Sequence, residues 1–164
     1  MKLLLLLRHA KSSWGNDALA DHDRPLNERG RRDAPRMGRL LRTLDLVPDQ
    51  IVASSATRAA TTAQLVAEAA GYPGEIRYTR DLYLADPETY VDVARTTDDA
   101  VQRLMLVGHN PDIEELVAEL SSIEERMSTA TLACVRLPIA AWRELKLTGH
   151  YELTGIWRPK EIRD

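Results

Sequence analysis

Cysteine is nearly absent from this chain. Among its 164 residues only Cys134 is a cysteine, so no disulfide within the chain is possible and an oxidising compartment gains no support. Cys134 sits in an apolar alternating run, where a small core residue is expected rather than a reactive thiol. Long apolar stretches are missing as well. A membrane span needs about 20 apolar residues, a secretory signal core needs roughly 7–15, and the run from Leu3 to Leu7 is shorter than either. Arg8-His9-Ala10-Lys11 then closes that run with charge. A buried first strand is expected there, in a protein of the cytoplasm with no membrane partner. There is no basic arm: arginine greatly outnumbers lysine, but the arginines are spread along the chain and balanced to a net charge of -3. That excludes the usual electrostatic signature of nucleic-acid binding. His9, His22, His109 and His150 show no zinc-type pairing and Cys134 stands alone, so neither a metal nor another cofactor is expected. No internal repeat and no low-complexity linker divides the chain.

With 44% apolar and 29% charged residues, the chain has the composition of a globular protein, and its length fits one domain spanning residues 1–164. Short apolar runs predict strands over Lys2–Arg8, Gln50–Ala53 and Arg103–Val107, with an edge strand over Ile76–Thr79. Alternating character predicts late strands over Thr131–Leu137 and His150–Trp157. Helices are expected from Asn27 to about Leu44, where Ala34, Met37, Leu40, Leu41 and Leu44 share one face, and from Ala56 to Ala70, capped by Ser54 and Ser55 and ended by Gly71. Gly30 and Pro35 conflict with the first of these, which requires either a kink at Pro35 or a separate initial turn. Further helices are expected over Pro87–Thr96 and from Asn110-Pro111-Asp112, with Asn110 as N-cap, to about Leu120. Ala10 to Pro25 is polar and predicted to be a long loop, a length usually tied to function. Alternating strands and helices predict an α/β fold with a mostly parallel sheet.

Three motifs each directly follow a short apolar strand: Leu7-Arg8-His9-Ala10, then Ser54-Ser55-Ala56-Thr57-Arg58-Ala59 with Thr62 one turn on, then Val107-Gly108-His109-Asn110-Pro111. In open α/β sheets ligands bind at the carboxyl ends of strands. Two arginines and two histidines gathered there would suit a dianion. One such residue alone would be an ordinary strand-end polar group, but the joint pattern is specific. His22 and His150 fit no motif and are expected at the surface.

These residues resemble the histidine phosphatase superfamily, also called phosphoglycerate mutase-like, from Leu3 to about Leu137. Arg8-His9 matches its Arg-His motif, with Ala10 where glycine is usual. Ser54-x-x-x-Arg58-Ala59-x-x-Thr62 and Gly108-His109 match its second and third motifs, and Asp23-Arg24-Pro25-Leu26 with Arg29-Gly30 resembles the segment entering its first helix. The length and the Arg-His-Ala-Lys-Ser-Ser-Trp opening are most similar to the small SixA-type branch. The resemblance implies a three-layer α/β/α sandwich and a phosphatase working through a covalent phosphohistidine on His9, with Arg8, Arg58 and His109 holding the phosphoryl group. Its substrate would be protein phosphohistidine or a small phosphate ester, making a phosphorylated protein or metabolite the partner. Lys11, Ser12, Ser13 and Trp14 are further candidates for substrate binding, Trp14 as a loop anchor or lid.

The chain departs from the family in its general acid. Many members place a Glu after the third strand in a Leu-x-Glu context, where this chain has Leu82-Tyr83-Leu84, with Asp81, Asp86 and Glu88 as nearby candidates. A leaving imidazole, with a pKa near 6.5, needs less protonation than an alcohol. A missing acid therefore favours phosphohistidine, or an activated ester, over an ordinary sugar phosphate. Two alternatives stand beside this reading: a phosphotransferase or mutase of the same superfamily, and a non-catalytic phosphate-binding protein.

Overall fold

Strand β1 (Lys2–Arg8) lies inside a six-stranded sheet of order β3-β2-β4-β1-β5-β6. A computed structural model describes residues 1–163. The other strands are β2 (Gln50–Ser54), β3 (Ile76–Thr79), β4 (Arg103–Gly108), β5 (Leu132–Leu137) and β6 (Glu152–Trp157). The helices are α1 (Glu28–Thr43), α2 (Thr57–Ala70), α3 (Pro87–Arg95) and α4 (Asp112–Ser121). β3, β2, β4 and β1 run parallel, while β5 and β6 join antiparallel.

The unbroken leucine run of β1 is explained by the layers around it. Leu4 and Leu6 pack with Leu104, Leu106, Tyr90 and Ile113, on the face covered by α3 and α4. Leu5 and Leu7 pack with Met105, Val107, Met37 and Val66, on the face covered by α1 and α2. A strand covered on both faces has no polar side, so its sequence does not alternate. Each fully buried leucine contributes about 1.5–3 kcal/mol by leaving water. The architecture is the expected three-layer α/β/α sandwich with a mostly parallel sheet.

Helix α1 runs unbroken through Pro35. The proline forgoes only the bond its own N–H would have made to the Arg31 carbonyl. Gly30 serves the contact between α1 and the chain after β1: a Cβ there would lie 2.2 Å from the Lys11 carbonyl oxygen. That same oxygen accepts from the Asn27 N–H at 3.0 Å. Asn27 caps the helix as expected, accepting from the Gly30 N–H.

Other boundaries need correction. Ser54 and Ser55 do not cap α2 in the expected sense: Ala56 holds the cap position without a side-chain bond, Ser54 accepts from the Ala56 N–H just ahead of the helix and pairs with His109, and Ser55 pairs with His22. Asn110 is not the cap of α4, which begins after Pro111; its amide donates instead to Glu114 and to the Met127 carbonyl. β6 begins at Glu152 because His150 has a left-handed backbone, φ 53°. The loop after β1 is partly ordered by a Ser12–Leu26 bridge and a short 3₁₀ turn over Asp21–Asp23.

Candidate active site

The three motifs meet because β2, β4 and β1 are adjacent and parallel, so their carboxyl ends reach one edge of the sheet. The His9 N–H donates to the Gly108 carbonyl, and the His9 and His109 ring centroids are 5.2 Å apart. Thr62 joins the second motif to the first: its hydroxyl accepts from the Ala10 N–H at 3.0 Å and donates to the Arg58 carbonyl at 2.7 Å. Gly108 is required by its neighbour. A Cβ there would lie 2.0 Å from the Tyr90 hydroxyl, which accepts from the His109 N–H and donates to the Leu82 carbonyl.

His9 is 7% exposed. Its Nδ1–H donates to the Ala10 carbonyl at 2.7 Å, which leaves the Nε2 lone pair free. Burial pushes its pKa down to about 3, the Ala10 bond opposing and the His109, Arg8 and Arg58 charges assisting. His109 is lowered to about 4, first by burial and then by Arg58. Both imidazoles are therefore neutral at pH 7 in the free protein, so His109 does not supply the charged donor that its protonated form would. Its Nε2 pairs with the Ser54 hydroxyl at 2.8 Å.

His9, His109, Arg8 and Arg58 line a cavity of about 510 Å³. Arg8 donates from Nη1 to the Met127 carbonyl. Arg58 donates from Nη1 to the Asp21 carbonyl at 2.7 Å and from Nη2 to the Asp21 carboxylate at 3.0 Å. Among the described residues, the buried side-chain polar atoms without a partner are Arg8 Nε, Arg58 Nε, His109 Nδ1 and Asn110 Oδ1. All four belong to residues lining this cavity. Buried polar atoms are nearly always paired, so unpaired ones gathered around one space call for a functional account. A larger neighbouring cavity of about 880 Å³ shares Arg8, Lys11, Asn110, Pro111 and Thr129 with it but contains neither histidine.

The remaining expected residues divide. Lys11, Ser12 and Trp14 line the cavity, whereas Ser13 is not among the lining residues. The Ser13 carbonyl accepts from Arg24, and its hydroxyl from the Gly15 N–H. Ser12 is buried and accepts from Arg24, whose guanidinium also lies 3.5 Å from the centre of the exposed Trp14 ring. Asp86 caps α3 and Glu88 pairs with Arg95. Neither they nor Asp81 line the cavity.

Sequence reasoning missed four residues here. Asp21 lies beneath Arg58, and Tyr83 donates to its carboxylate at 2.6 Å. That bond first, then those from Arg24 and Arg58, hold the Asp21 carboxyl well below the usual range. Tyr83 occupies the stretch searched for a Glu, and its phenol is raised by the same bond. Asp112, assigned to a helix start, is the carboxylate among the cavity's lining residues; it is 7% exposed and burial pushes it up. His22, expected at the surface, bonds to Ser55 and sits edge-on to Tyr83.

Comparison with known proteins agrees with this geometry. The model of the histidine phosphatase superfamily (branch 1) matches residues 4–136. The chain belongs to that superfamily, whose name describes the constellation at the sheet edge. An uncharacterized protein of Mycobacterium tuberculosis is 35% identical over 146 residues, covering 88% of this chain and 89% of its own. The crystal structure of an Agrobacterium tumefaciens protein provisionally designated phosphohistidine phosphatase SixA superposes with a TM-score of 0.80 at 29% identity, covering 96% of this chain and 98% of that one. A 2,3-bisphosphoglycerate-dependent phosphoglycerate mutase of Streptomyces avermitilis matches at 44% identity, but only over 41% of this chain and 27% of its own. No helix among the described residues is long and apolar enough to cross a membrane.

Proposed function

We propose that the chain works as one histidine phosphatase domain that removes phosphoryl groups through a covalent phosphohistidine on His9, with protein phosphohistidine as the favoured substrate. The observation that supports this most is the set of unpartnered buried atoms on Arg8, Arg58, His109 and Asn110 around the cavity that holds His9. A tetrahedral anion in the cavity would offer several acceptor oxygens to these side chains.

The neutral His9 Nε2 attacks phosphorus. A P–N bond forms as the bond to the leaving group breaks, and the Ala10 carbonyl stabilises the charge that develops on the ring. Arg8 and Arg58 spread the charge of the equatorial oxygens. The dianion itself raises the His109 pKa, so His109 becomes a charged donor when substrate arrives. Water then attacks the phosphohistidine, releasing phosphate and restoring His9.

Asp81, Asp86 and Glu88 lie outside the cavity and the Tyr83 proton is committed to Asp21, which leaves Asp112 as the carboxylate in the cavity lining. A phosphohistidine protonated on its second ring nitrogen expels a neutral imidazole, whose conjugate acid has a pKa near 6.5, whereas a departing alkoxide needs an acid in place. Phosphohistidine and activated esters are therefore turned over faster than phosphoserine. Incubating wild type and His9→Ala with p-nitrophenyl phosphate and with a phosphohistidine protein tests the mechanism, which fails if His9→Ala retains activity. A wild type that binds phosphate yet turns over no donor would instead mark a non-catalytic phosphate-binding protein. A mutase is not favoured, since the mutase match covers a minority of the chain.

A further inference from the structure

We propose that Asp21 is a positioning residue for Arg58, acting through the guanidinium rather than on the substrate. Asp21 is not among the residues lining the cavity, whereas Arg58 is. The Arg58 side chain is 7% exposed, and both of its terminal nitrogens are committed to this one residue, Nη1 to the carbonyl and Nη2 to the carboxylate. Two bonds from its two terminal nitrogens to separate acceptors fix the plane of the guanidinium as well as its place. Nε is left without a partner. An arginine held in this way meets a phosphoryl oxygen without first losing rotamer freedom.

The clamp is itself braced. The oxygen of Asp21 that accepts from Arg58 also accepts from the Tyr83 hydroxyl at 2.6 Å, and its other oxygen accepts from Arg24 Nε at 3.0 Å. Arg24 is anchored in turn by the Ser12 hydroxyl and the Ser13 carbonyl. Asp21 thus ties together three distant segments: the loop after β1, the first turn of α2 and the turn after β3. Its carboxylate stays ionised while so many donors face it, so it brings a fixed negative charge behind Arg58. Unopposed, that buried guanidinium would have no counter-charge in the absence of substrate.

The proposal rests on the phosphatase reading for its biological meaning, but its test does not require turnover. Orthophosphate affinity is measured by calorimetry, alongside kcat and KM on a phosphohistidine protein, for wild type, Asp21→Ala, Arg58→Lys and the double variant. Asp21→Ala is expected to lower kcat/KM about 10²-fold, mostly through kcat, and to weaken orthophosphate binding about tenfold. Lysine has a single nitrogen and no plane for Asp21 to fix, so on the Arg58→Lys background the same substitution should cost less than about threefold. Losses that multiply would show that Asp21 merely supports the loop, and would overturn the proposal. If Asp21→Ala fails to fold, Tyr83→Phe carries the same cycle: its few-fold loss should likewise vanish with Arg58→Lys, and an undiminished loss is contrary. Non-additive phosphate binding in a protein that turns over no donor would sink the phosphatase reading and leave the clamp intact. Additive losses in an active enzyme would do the reverse.

Discussion

Within β1 and the residue that follows it, the chain passes between two opposite regimes. Leu4 to Leu7 lie in a sheet interior where apolar packing is complete and backbone groups pair with β4 and β5. Arg8 and His9 lie at the edge, where hydrogen-bonding capacity is left unspent on Arg8 and both imidazoles are kept uncharged by burial. The interior lowers the free energy of the fold. The edge raises it, leaving polar atoms unpaired for a ligand to satisfy. The comparison teaches that the stiff apolar strands are what make an unsatisfied rim tolerable.

Substitutions can separate the two regimes. The largest effect is expected at the rim: His9→Ala should lower turnover at least about 10³-fold while thermal unfolding stays within a few degrees of wild type. Leu6→Ala should do the opposite, lowering stability by about 2–5 kcal/mol with kcat of the folded fraction largely retained, as read by urea denaturation. Gly108→Ala falls between. The added methyl meets the Tyr90 hydroxyl, which is held by His109 and Leu82 and cannot swing aside. About 1–3 kcal/mol of stability and part of the activity should be lost together.

Smaller effects sharpen the picture. Because the pKa values of His9 and His109 lie at about 3 and about 4 in the folded protein, the unfolded chain binds more protons below about pH 6.5. Stability should therefore be highest above that pH and fall as pH drops towards 4, by up to about 1.4 kcal/mol per pH unit per histidine. Urea titrations at pH 7, 6 and 5 with and without orthophosphate read this directly, and the slope should flatten in His9→Ala. The smallest effect is expected from Asp112→Asn, less than about threefold on phosphohistidine. A bell-shaped pH–rate profile that loses its alkaline limb in this variant would identify Asp112 as the proton donor.

Much of this was legible before any coordinates. The leucine run of β1, the strand-ending Arg8-His9 and Gly108-His109, and the Asn27 cap are local signals that the fold respects. The missed features are non-local. Asp21 and Tyr83 are 62 positions apart, and their bond exists only because the loop after β1 folds over the turn after β3. Ser54 looked like a helix cap because serine before a helix usually is one, yet its hydroxyl bonds to His109. Gly30 and Pro35 pointed to a kink or a separate initial turn because propensity weighs one residue, while packing of Ala34, Met37 and Leu41 holds one helix from Glu28 to Thr43. Ser13 shared a segment with Ser12 and Trp14, but the Ser12–Leu26 bridge leaves it among the loop's own bonds.

The backbone around His9 is stitched to three separate places: His9 N–H to Gly108, Ala10 N–H to Thr62, and the His9 carbonyl to the N–H of Ala130. None of these anchors belongs to residues 11–25. That stretch reaches the seat of His9 through side chains and carbonyls instead: a transplanted loop could redraw the entrance, provided it returned the Asp21 clamp on Arg58, the Arg24 brace and the Lys11 carbonyl that seats α1.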